Sequence, residues 1–278
     1  MRLSAFLVLA ATMAVSLHGF AGAQTRLPDG GTARAGGSGV VQAWYVAPTT
    51  RYRHGVLGDA TEAGGLAVRD ASGKQHVFML PESSVFEDIT PRLADLNGDG
   101  GAEVIVVRSY LSRGAALAVF GMRGGELVRI AETAPIGRSA RWLNPAGIAD
   151  FTGDGRLEVA IVKTPHIGGR LEFWRLRGNG LSRVGALDGF SNHVIGSRSL
   201  GLSAIVDVDG DGIRDLVLPD AARTSLVAVS LAGGRARVIG RVGLPAPVTG
   251  NLSASGQRVS AGLAGGRRAS VALADFRG

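Results

Sequence analysis

The stretch DVDGDGIRDLVL occupies residues 207–218. Two earlier stretches share its spacing of acids, glycines and apolar residues: DLNGDGGAEVIVV at residues 95–107 and DFTGDGRLEVAIV at residues 150–162. The three copies begin 55 and 57 residues apart. A period of this length is typical of one propeller blade or a similar β unit. We therefore interpret the chain as an array of internal repeats.

Each copy begins a run of short strands separated by turns. Alternating apolar residues and a turn every eight to twelve positions predict an antiparallel meander in every unit. Glycine makes up 43 of the 278 residues, which fits a chain with many tight turns. The predicted strands are 103–107, 115–120 and 126–131 in the first unit, 158–162, 170–176 and 181–187 in the second, and 215–218, 225–231 and 236–242 in the third.

Two weaker copies flank these units. The sequence GVLGD at residues 55–59 keeps the Gly-Asp pair, and a degenerate copy runs from about residue 248 to 273. Terminal repeats are expected to be atypical. We therefore predict an all-β protein, a β-propeller of about five four-stranded blades, and leave the number of blades and closure of the ring open. The predicted units are about 55–85, 86–138, 144–190, 200–245 and 246–278.

The acidic loops have the chemistry of a calcium site. Each places oxygen-bearing side chains at positions 1, 3, 5 and 9, a glycine at position 6 and a free backbone carbonyl at position 7. Calcium takes six to eight oxygen ligands, and a glycine lets the chain turn sharply around the ion. The predicted ligands are Asp95, Asn97, Asp99, Gly101 and Glu103; Asp150, Thr152, Asp154, Arg156 and Glu158; and Asp207, Asp209, Asp211, Ile213 and Asp215.

The loops do not fit an EF-hand, which requires a bidentate Glu at position 12. This chain has Val106, Ile161 or Leu218 there. Ordinary Asp-Gly turns with solvated acids remain an alternative, although carboxylates repeated this closely repel one another without a cation. We number the loops one to three in chain order, beginning at Asp95, Asp150 and Asp207. Loop three carries four carboxylates, so we expect it to bind calcium most tightly, and loop two most weakly.

The loops and the strands after them resemble FG-GAP and VCBS repeats, the calcium-loop blades of integrin-alpha-like β-propellers. The resemblance covers about residues 86–245, with Phe120-Gly121 and Ala134-Pro135 as traces of the sequence marks that name the family. It implies that the loop carboxylates bind calcium between the strands of a blade, with up to three calcium ions in this chain. The family usually has seven blades.

The amino terminus resembles a secretory signal peptide. Residues 1–23 combine a basic start, a short apolar run over residues 5–17 and small residues at a cleavage site near Ala23. The run is shorter than the roughly 20 apolar residues that a membrane span needs. We expect a periplasmic or secreted protein with a flexible segment over residues 24–39 and one propeller domain over residues 40–278. The sequence contains no cysteine, so disulfides cannot stabilise it.

The net charge of +7 does not indicate nucleic-acid binding. The arginines are scattered singly, and Arg267-Arg268 is the only adjacent pair. A nucleic-acid site would be expected to cluster them on one face or along one element. We therefore predict a solvated basic surface, no nucleic-acid partner and no membrane span, with the oligomeric state open.

No catalytic motif is present in the sequence. A Gly-x-Ser-x-Gly elbow and a phosphate-binding loop are both absent. We expect a binding or scaffold module for a protein or a cell-surface glycan. The alternative is a hydrolase or lyase acting on polysaccharide with structural calcium, which a concave face of clustered His, Arg and acids would favour.

The mature histidines, interpreted as lone surface residues, are His54, His76, His166 and His193. Asn192-His193 and Trp142 to Asn144 are candidates for a ligand-facing surface.

Overall fold

The computed structural model describes residues 25–277, so the predicted signal peptide lies outside the described residues. This part of the chain is almost entirely β-structure, with three short 3₁₀ turns at Ala232–Gly234, Ala264–Gly266 and Leu273–Arg277. The strands are β1 Thr32–Arg34, β2 Ser38–Thr49, β3 Glu62–Asp70, β4 Gln75–Met79, β5 Ser84–Phe86, β6 Arg92–Ala94, β7 Gly101–Tyr110, β8 Gly114–Arg123, β9 Glu126–Glu132, β10 Leu143–Ala149, β11 Glu158–Lys163, β12 Arg170–Arg177, β13 Gly180–Asp188, β14 Ala204–Val206, β15 Asp215–Pro219, β16 Ser225–Ser230, β17 Arg237–Gly243, β18 Val248–Ser255, β19 Arg258–Leu263 and β20 Arg268–Ala272.

The strands form four sheets of antiparallel meanders. Two sheets have four strands, β10 to β13 and β14 to β17, in the order of the chain. The last sheet has the three strands β18 to β20. The predicted strands of the three full repeats therefore exist at the expected positions, and the degenerate copy over about residues 248–273 also forms strands.

The first sheet has nine strands because it joins two of the predicted units. Ala63 of β3 pairs with Phe86 of β5, which links unit 55–85 to unit 86–138. Two residues of β2 also pair in parallel with β7, Ser38 with Gly101 and Gly39 with Ala102. These bridges merge the two meanders into a single sheet.

The segment 24–39, which we expected to be flexible, contains paired strands. Thr32, Ala33 and Arg34 of β1 pair with β2, and Arg26 forms a bridge with Val46. The prediction was wrong because it took the glycines at 36–39 for a linker. Gly36 and Gly37 lie in the turn between the two strands, and Gly39 lies at the start of β2. Gly37 and Gly39 have φ angles of 94° and 75°, which favour glycine.

The core lies between successive sheets, and the strands after the acidic loops contact it on both faces. In β7, Val104 and Val106 pack in the cluster shared with β3. Ile105 and Val107 point to the other face and pack against β10 and β11. Successive side chains of a strand alternate between faces, so a strand covered on both sides becomes uniformly apolar. This explains the VIVV and VAIV runs. Within residues 25–277, no helix is long and apolar enough to cross a membrane.

Candidate metal loops and a pocket at the opposite end of the strands

The three acidic loops share one backbone arrangement. In loop three, the carboxylate of Asp207 accepts hydrogen bonds from the backbone amides of Gly210 (2.7 Å) and Gly212 (3.0 Å). The acid at position 9, Asp215, accepts one from the amide of Val208 at 2.9 Å. Gly210 and Gly212 have φ angles of 83° and 84°, the left-handed region in which glycine is favoured. The repeated Asp and Gly positions are therefore explained by the fold of the loop itself.

Loops one and two repeat these contacts. Asp95 accepts from the amides of Gly98 and Gly100, and Asp150 from those of Gly153 and Gly155, all at 2.7 to 2.9 Å. The loops therefore differ in their side chains and not in their backbone.

Loop three brings together a set of carboxylates that fits a cation. Oxygens of Asp207, Asp209 and Asp215 lie within 4.8 Å of one another. Asp215 is fully buried, and within residues 25–277 its Oδ1 has no hydrogen-bond partner. Burial, together with the neighbouring carboxylates of Asp209 and Asp211, raises the pKa of Asp215 to about 6. A buried orphan oxygen among acids is the donor set expected for a hard divalent cation.

Loop two does not fit a cation, because an arginine of the fold occupies it. The guanidinium of Arg175 donates to Asp154 Oδ2 at 2.7 Å, to Thr152 Oγ1 at 2.8 Å and through Nε to Glu158 Oε1 at 2.7 Å. These three residues are predicted metal ligands of this loop. The other two predicted ligands are Asp150 and the carbonyl of Arg156. The charge that we expected from an ion is supplied by Arg175.

Loop one is intermediate between the other two. The side-chain amide nitrogen of Asn97 donates to Asp99 Oδ2 at 2.9 Å and to Glu103 Oε1 at 2.7 Å. Gly101 completes the turn, its amide donating to Asp99. A cation in loop one would require the side-chain amide of Asn97 to rotate, so that its oxygen replaces its nitrogen beside Asp99 and Glu103.

One strand position accounts for the difference between the loops. Phe120, Trp174 and Val229 pair with the residues that follow the three position-9 acids. The next residue on each strand, Gly121, Arg175 or Ser230, therefore lies beside the acid. Glycine and serine leave room at the loop, whereas arginine reaches into it. The sequence alone does not reveal this position, because it is defined by strand register.

A pocket lies at the other end of the strands. Leu143 of β10 pairs with Lys163 of β11, whereas the metal-loop end of these strands is marked by the pair Ala149 and Glu158. The pocket is therefore on the face opposite the loops, and it has a volume of about 320 Å³. Its lining residues are His54, Ala140, Arg141, Trp142, Thr164, His166, Ile167 and Ile195.

Two histidines that we interpreted as lone surface residues, His54 and His166, line this pocket, and a third, His193, lies against His166. His193 is fully buried, and its Nε2 lies 2.9 Å from the carbonyl oxygen of Ser197. His166 Nε2 lies 2.9 Å from His193 Nδ1. Burial lowers the pKa of both rings, that of His166 to about 4, so both are neutral near pH 7. The interpretation was wrong because the loops around residues 166 and 193 meet only in the folded chain.

A second pair of titratable groups stands beside the first. His54 Nδ1 lies 2.6 Å from the carboxylate of the buried Glu87. Ser109 donates to the other oxygen of that carboxylate, and Trp142 Nε1 donates to the backbone carbonyl of Glu87 at 2.9 Å. Burial raises the pKa of Glu87, and the contact with His54 opposes this rise.

The candidates for a ligand-facing surface are more buried than we expected. Asn144 and Asn192 are fully buried, and Trp142 is only 2% exposed. Asn144 Nδ2 donates to the carbonyl oxygens of Asn192 and Leu200. These two asparagines therefore brace neighbouring loops, and only the edge of Trp142 reaches the pocket.

The meanders and their packing define the chain as a β-propeller. It is similar in fold to BamB from Moraxella catarrhalis, with a TM-score of 0.52 at 15% identity over 89% of this chain and 62% of that one. Saccharomyces cerevisiae Sqt1 matches with a TM-score of 0.49 at 14% identity over 78% of this chain and 55% of that one. The chain thus spans less than two thirds of either protein. No curated protein matches the sequence.

The repeats themselves match a known repeat family. Residues 95–161 and 150–218 match the FG-GAP-like repeat. Each match begins at the first acid of a loop, and together they include all three loops. Residues 95–218 therefore carry FG-GAP-like repeats.

Proposed function

We propose that the chain is an exported, calcium-stabilised β-propeller that acts as a binding or scaffold module for a protein or a cell-surface glycan. The observation that carries this proposal is the set of carboxylates in loop three, formed by Asp207, Asp209 and Asp215. The buried, unpartnered oxygen of Asp215 supplies a reason for a ligand at this place. Export rests on the signal-like sequence of residues 1–23.

Calcium suits loop three better than other divalent cations. Its candidate ligands are all oxygens, and calcium accepts the irregular geometry of a loop, whereas magnesium requires a near-octahedral set and keeps its waters. Loop one is a weaker second site, since Asn97 must change its hydrogen bonds. Loop two is no site while Arg175 stays in place. We therefore propose one strong and one weaker site.

The thermal midpoint of unfolding tests the calcium site. We expect calcium to raise the midpoint far more than magnesium does, since an ion at about 100 times its Kd adds about 2.7 kcal/mol per site. Asp209→Asn, in loop three, is expected to remove most of the rise. Asp188→Asn, an exposed carboxylate outside the loops, serves as the control. A midpoint that changes with neither calcium nor chelator would mean that the loops are ordinary Asp-Gly turns.

The alternative function, action on a polysaccharide, is favoured by one observation. The imidazole of His54 and the buried carboxylate of Glu87 form a pair of the kind that serves as a general base. The test is release of new sugar ends from a panel of polysaccharides by the unmodified chain and by His54→Gln. Release by the first and not by the second would establish this activity.

A further inference from the structure

We infer that the pocket between His54 and His166 is a binding site for a ring that carries a hydroxyl group, recognised by a hydrogen bond to one imidazole nitrogen of each histidine. The site lies at the opposite end of the strands from the acidic loops. The inference goes beyond the proposed calcium-binding function and does not depend on it.

The hydrogen-bond chain fixes what His166 offers to a ligand. The carbonyl oxygen of Ser197 can only accept, so His193 Nε2 must carry the proton that bonds to it. His193 Nδ1 is then an acceptor, and His166 Nε2 must donate to it. The proton of the neutral His166 ring is thereby placed on Nε2. Its Nδ1 is left as an acceptor, and it has no partner among the described residues.

His54 offers a second polar contact. Its Nδ1 faces the carboxylate of Glu87 at 2.6 Å, and Ser109 donates to the other oxygen of that carboxylate. The other ring nitrogen of His54, Nε2, has no partner within residues 25–277. It can bond to a hydroxyl group, because a hydroxyl both donates and accepts hydrogen bonds.

The surroundings of His166 keep its ring neutral. Burial, followed by the neighbouring His193 and the positive charge of Arg223, disfavours a second proton on His166. A ligand hydroxyl can therefore donate its proton to Nδ1 of this ring. Arg141 also lines the pocket, and its positive charge disfavours a cationic ligand.

The rest of the wall is apolar. Ile167 and Ile195 are 59% and 66% exposed, unusually high for isoleucine. With Ala140 and the edge of Trp142 they form the side against which a ring can pack. A volume of about 320 Å³ lies at the small end of ligand pockets, which span about 300 to 1,000 Å³. The combination of apolar wall and few convergent polar atoms is typical of such sites.

Backbone strain is concentrated at the same place. Two lining residues, Ala140 and Thr164, have φ angles of 50° and 48°, which are unusual for residues other than glycine. The amide of Ala140 donates to the hydroxyl of Tyr52 at 3.0 Å, and that of Thr164 to the carbonyl of Trp142 at 2.8 Å. Strain held by such contacts is often found at ligand sites.

Binding of three small rings tests the inference. Phenol, methyl β-glucopyranoside and toluene are titrated into the unmodified chain at pH 7 by calorimetry and saturation-transfer NMR. We expect at least one of the two hydroxyl-bearing rings to bind with a Kd of about 1 mM or tighter. Toluene matches phenol in size, and we expect it to bind at least about fivefold more weakly, the effect of one hydrogen bond.

Variants place the binding at the pocket. His166→Phe and His54→Phe each remove one hydrogen-bonding nitrogen and are expected to weaken binding of the hydroxyl-bearing ligand at least about fivefold. His76→Phe alters a histidine outside the pocket, which bonds to Asp70, and should leave binding unchanged. Thermal midpoints check that each variant is folded. If one pocket variant unfolds, the other one carries the test.

The outcomes are distinct. Binding of phenol alone assigns an aromatic hydroxyl, and binding of the glycoside alone assigns a sugar. The inference is overturned if neither binds, if toluene binds as well as phenol, or if both pocket variants bind as tightly as the unmodified chain. None of these results depends on a response to calcium, so failure here leaves the calcium proposal to its own test.

Discussion

Arg175 lies against Glu158 in loop two, with its Nε 2.7 Å from Glu158 Oε1, and both side chains are almost completely buried, 6% and 0% exposed. A buried pair of this kind neutralises the loop without any ion. Removing one partner leaves an uncompensated buried charge, which typically costs about 3 to 5 kcal/mol. Loop two is thus held closed by the chain itself, whereas loop three has no arginine at the equivalent position, Ser230.

Arg175→Ser should convert loop two into a calcium-responsive loop. Serine is the residue that loop three has at this position, and it leaves Asp154 and Glu158 without their cation. In chelator we expect a loss of about 3 kcal/mol in the free energy of unfolding. Calcium should recover much of it and raise the number of bound ions by one. Urea titrations with and without calcium, together with calorimetric stoichiometry, measure both effects.

Arg177→Ser is the matched control on the same strand, because Arg177 is exposed at the end of β12. It should change neither the stability nor the number of ions. A loss of stability in Arg175→Ser that calcium does not recover would show that loop two is unable to hold an ion even when opened.

The acidic loops and their strands could be predicted from sequence because their determinants are local. The acids and glycines of residues 207–215 bond to one another's backbone within nine residues. The apolar runs after each loop follow from burial on both faces of β7 and β11. Such features recur at a fixed period and are visible by inspection.

The contents of loop two and the pocket could not be predicted from sequence in the same way. Arg175 lies 17 residues from Glu158, and the register between β11 and β12 decides whether it reaches the loop. The pocket brings His54 and His166 together from different sheets. Their placement depends on packing between units, for which a single sequence has no periodic signal.

Glu62 should make the protein less stable as pH rises. It is 1% exposed on β3, and its Oε1 has no hydrogen-bond partner among the residues that the structure describes. Burial, followed by the charges of Glu87, Asp59 and Asp88, raises its pKa from 4.5 to about 9. Between these values the folded chain holds a proton that the unfolded chain releases, so stability is full below pH 4.5 and is lost as pH rises towards 9. The limiting slope is about 1.4 kcal/mol per pH unit.

Glu62→Gln removes this titration. Relative to the unmodified chain, we expect it to gain stability progressively between pH 5 and pH 8 in urea unfolding. Glu126→Gln, at an exposed position of β9, is the control and should follow the unmodified curve. If the Glu62→Gln and unmodified curves ran parallel, Glu62 would be ionised in the folded protein.

Gly169 should tolerate no side chain. A Cβ at this position would lie 1.5 Å from the carbonyl oxygen of Phe190, whereas one at the adjacent Gly168 would meet nothing within 4 Å. Both residues have positive φ angles, 35° and 77°. Gly168→Ala therefore carries the backbone penalty alone, about 1 to 2 kcal/mol. Gly169→Ala adds the clash and should lower the thermal midpoint much further; similar midpoints for the two variants would contradict this.

Arg198 should hold the loop after β2 against the loop before β14. Its Nη1 donates to the carbonyl of Leu57 and to Asp59, both at 3.0 Å, and its Nη2 contacts Asp29. The arginine is 39% exposed, so its ion pairs are screened and contribute about 1 kcal/mol or less. We expect Arg198→Ala to leave the thermal midpoint nearly unchanged and to speed amide hydrogen exchange at residues 56–59 by about fivefold.

Arg53→Ala, which changes an exposed arginine of the same loop, is the control and should leave that exchange unaltered. Equal exchange in the two variants would mean that other contacts, such as the bond from the Gly196 amide to the Val56 carbonyl at 2.9 Å, hold the loops together without Arg198.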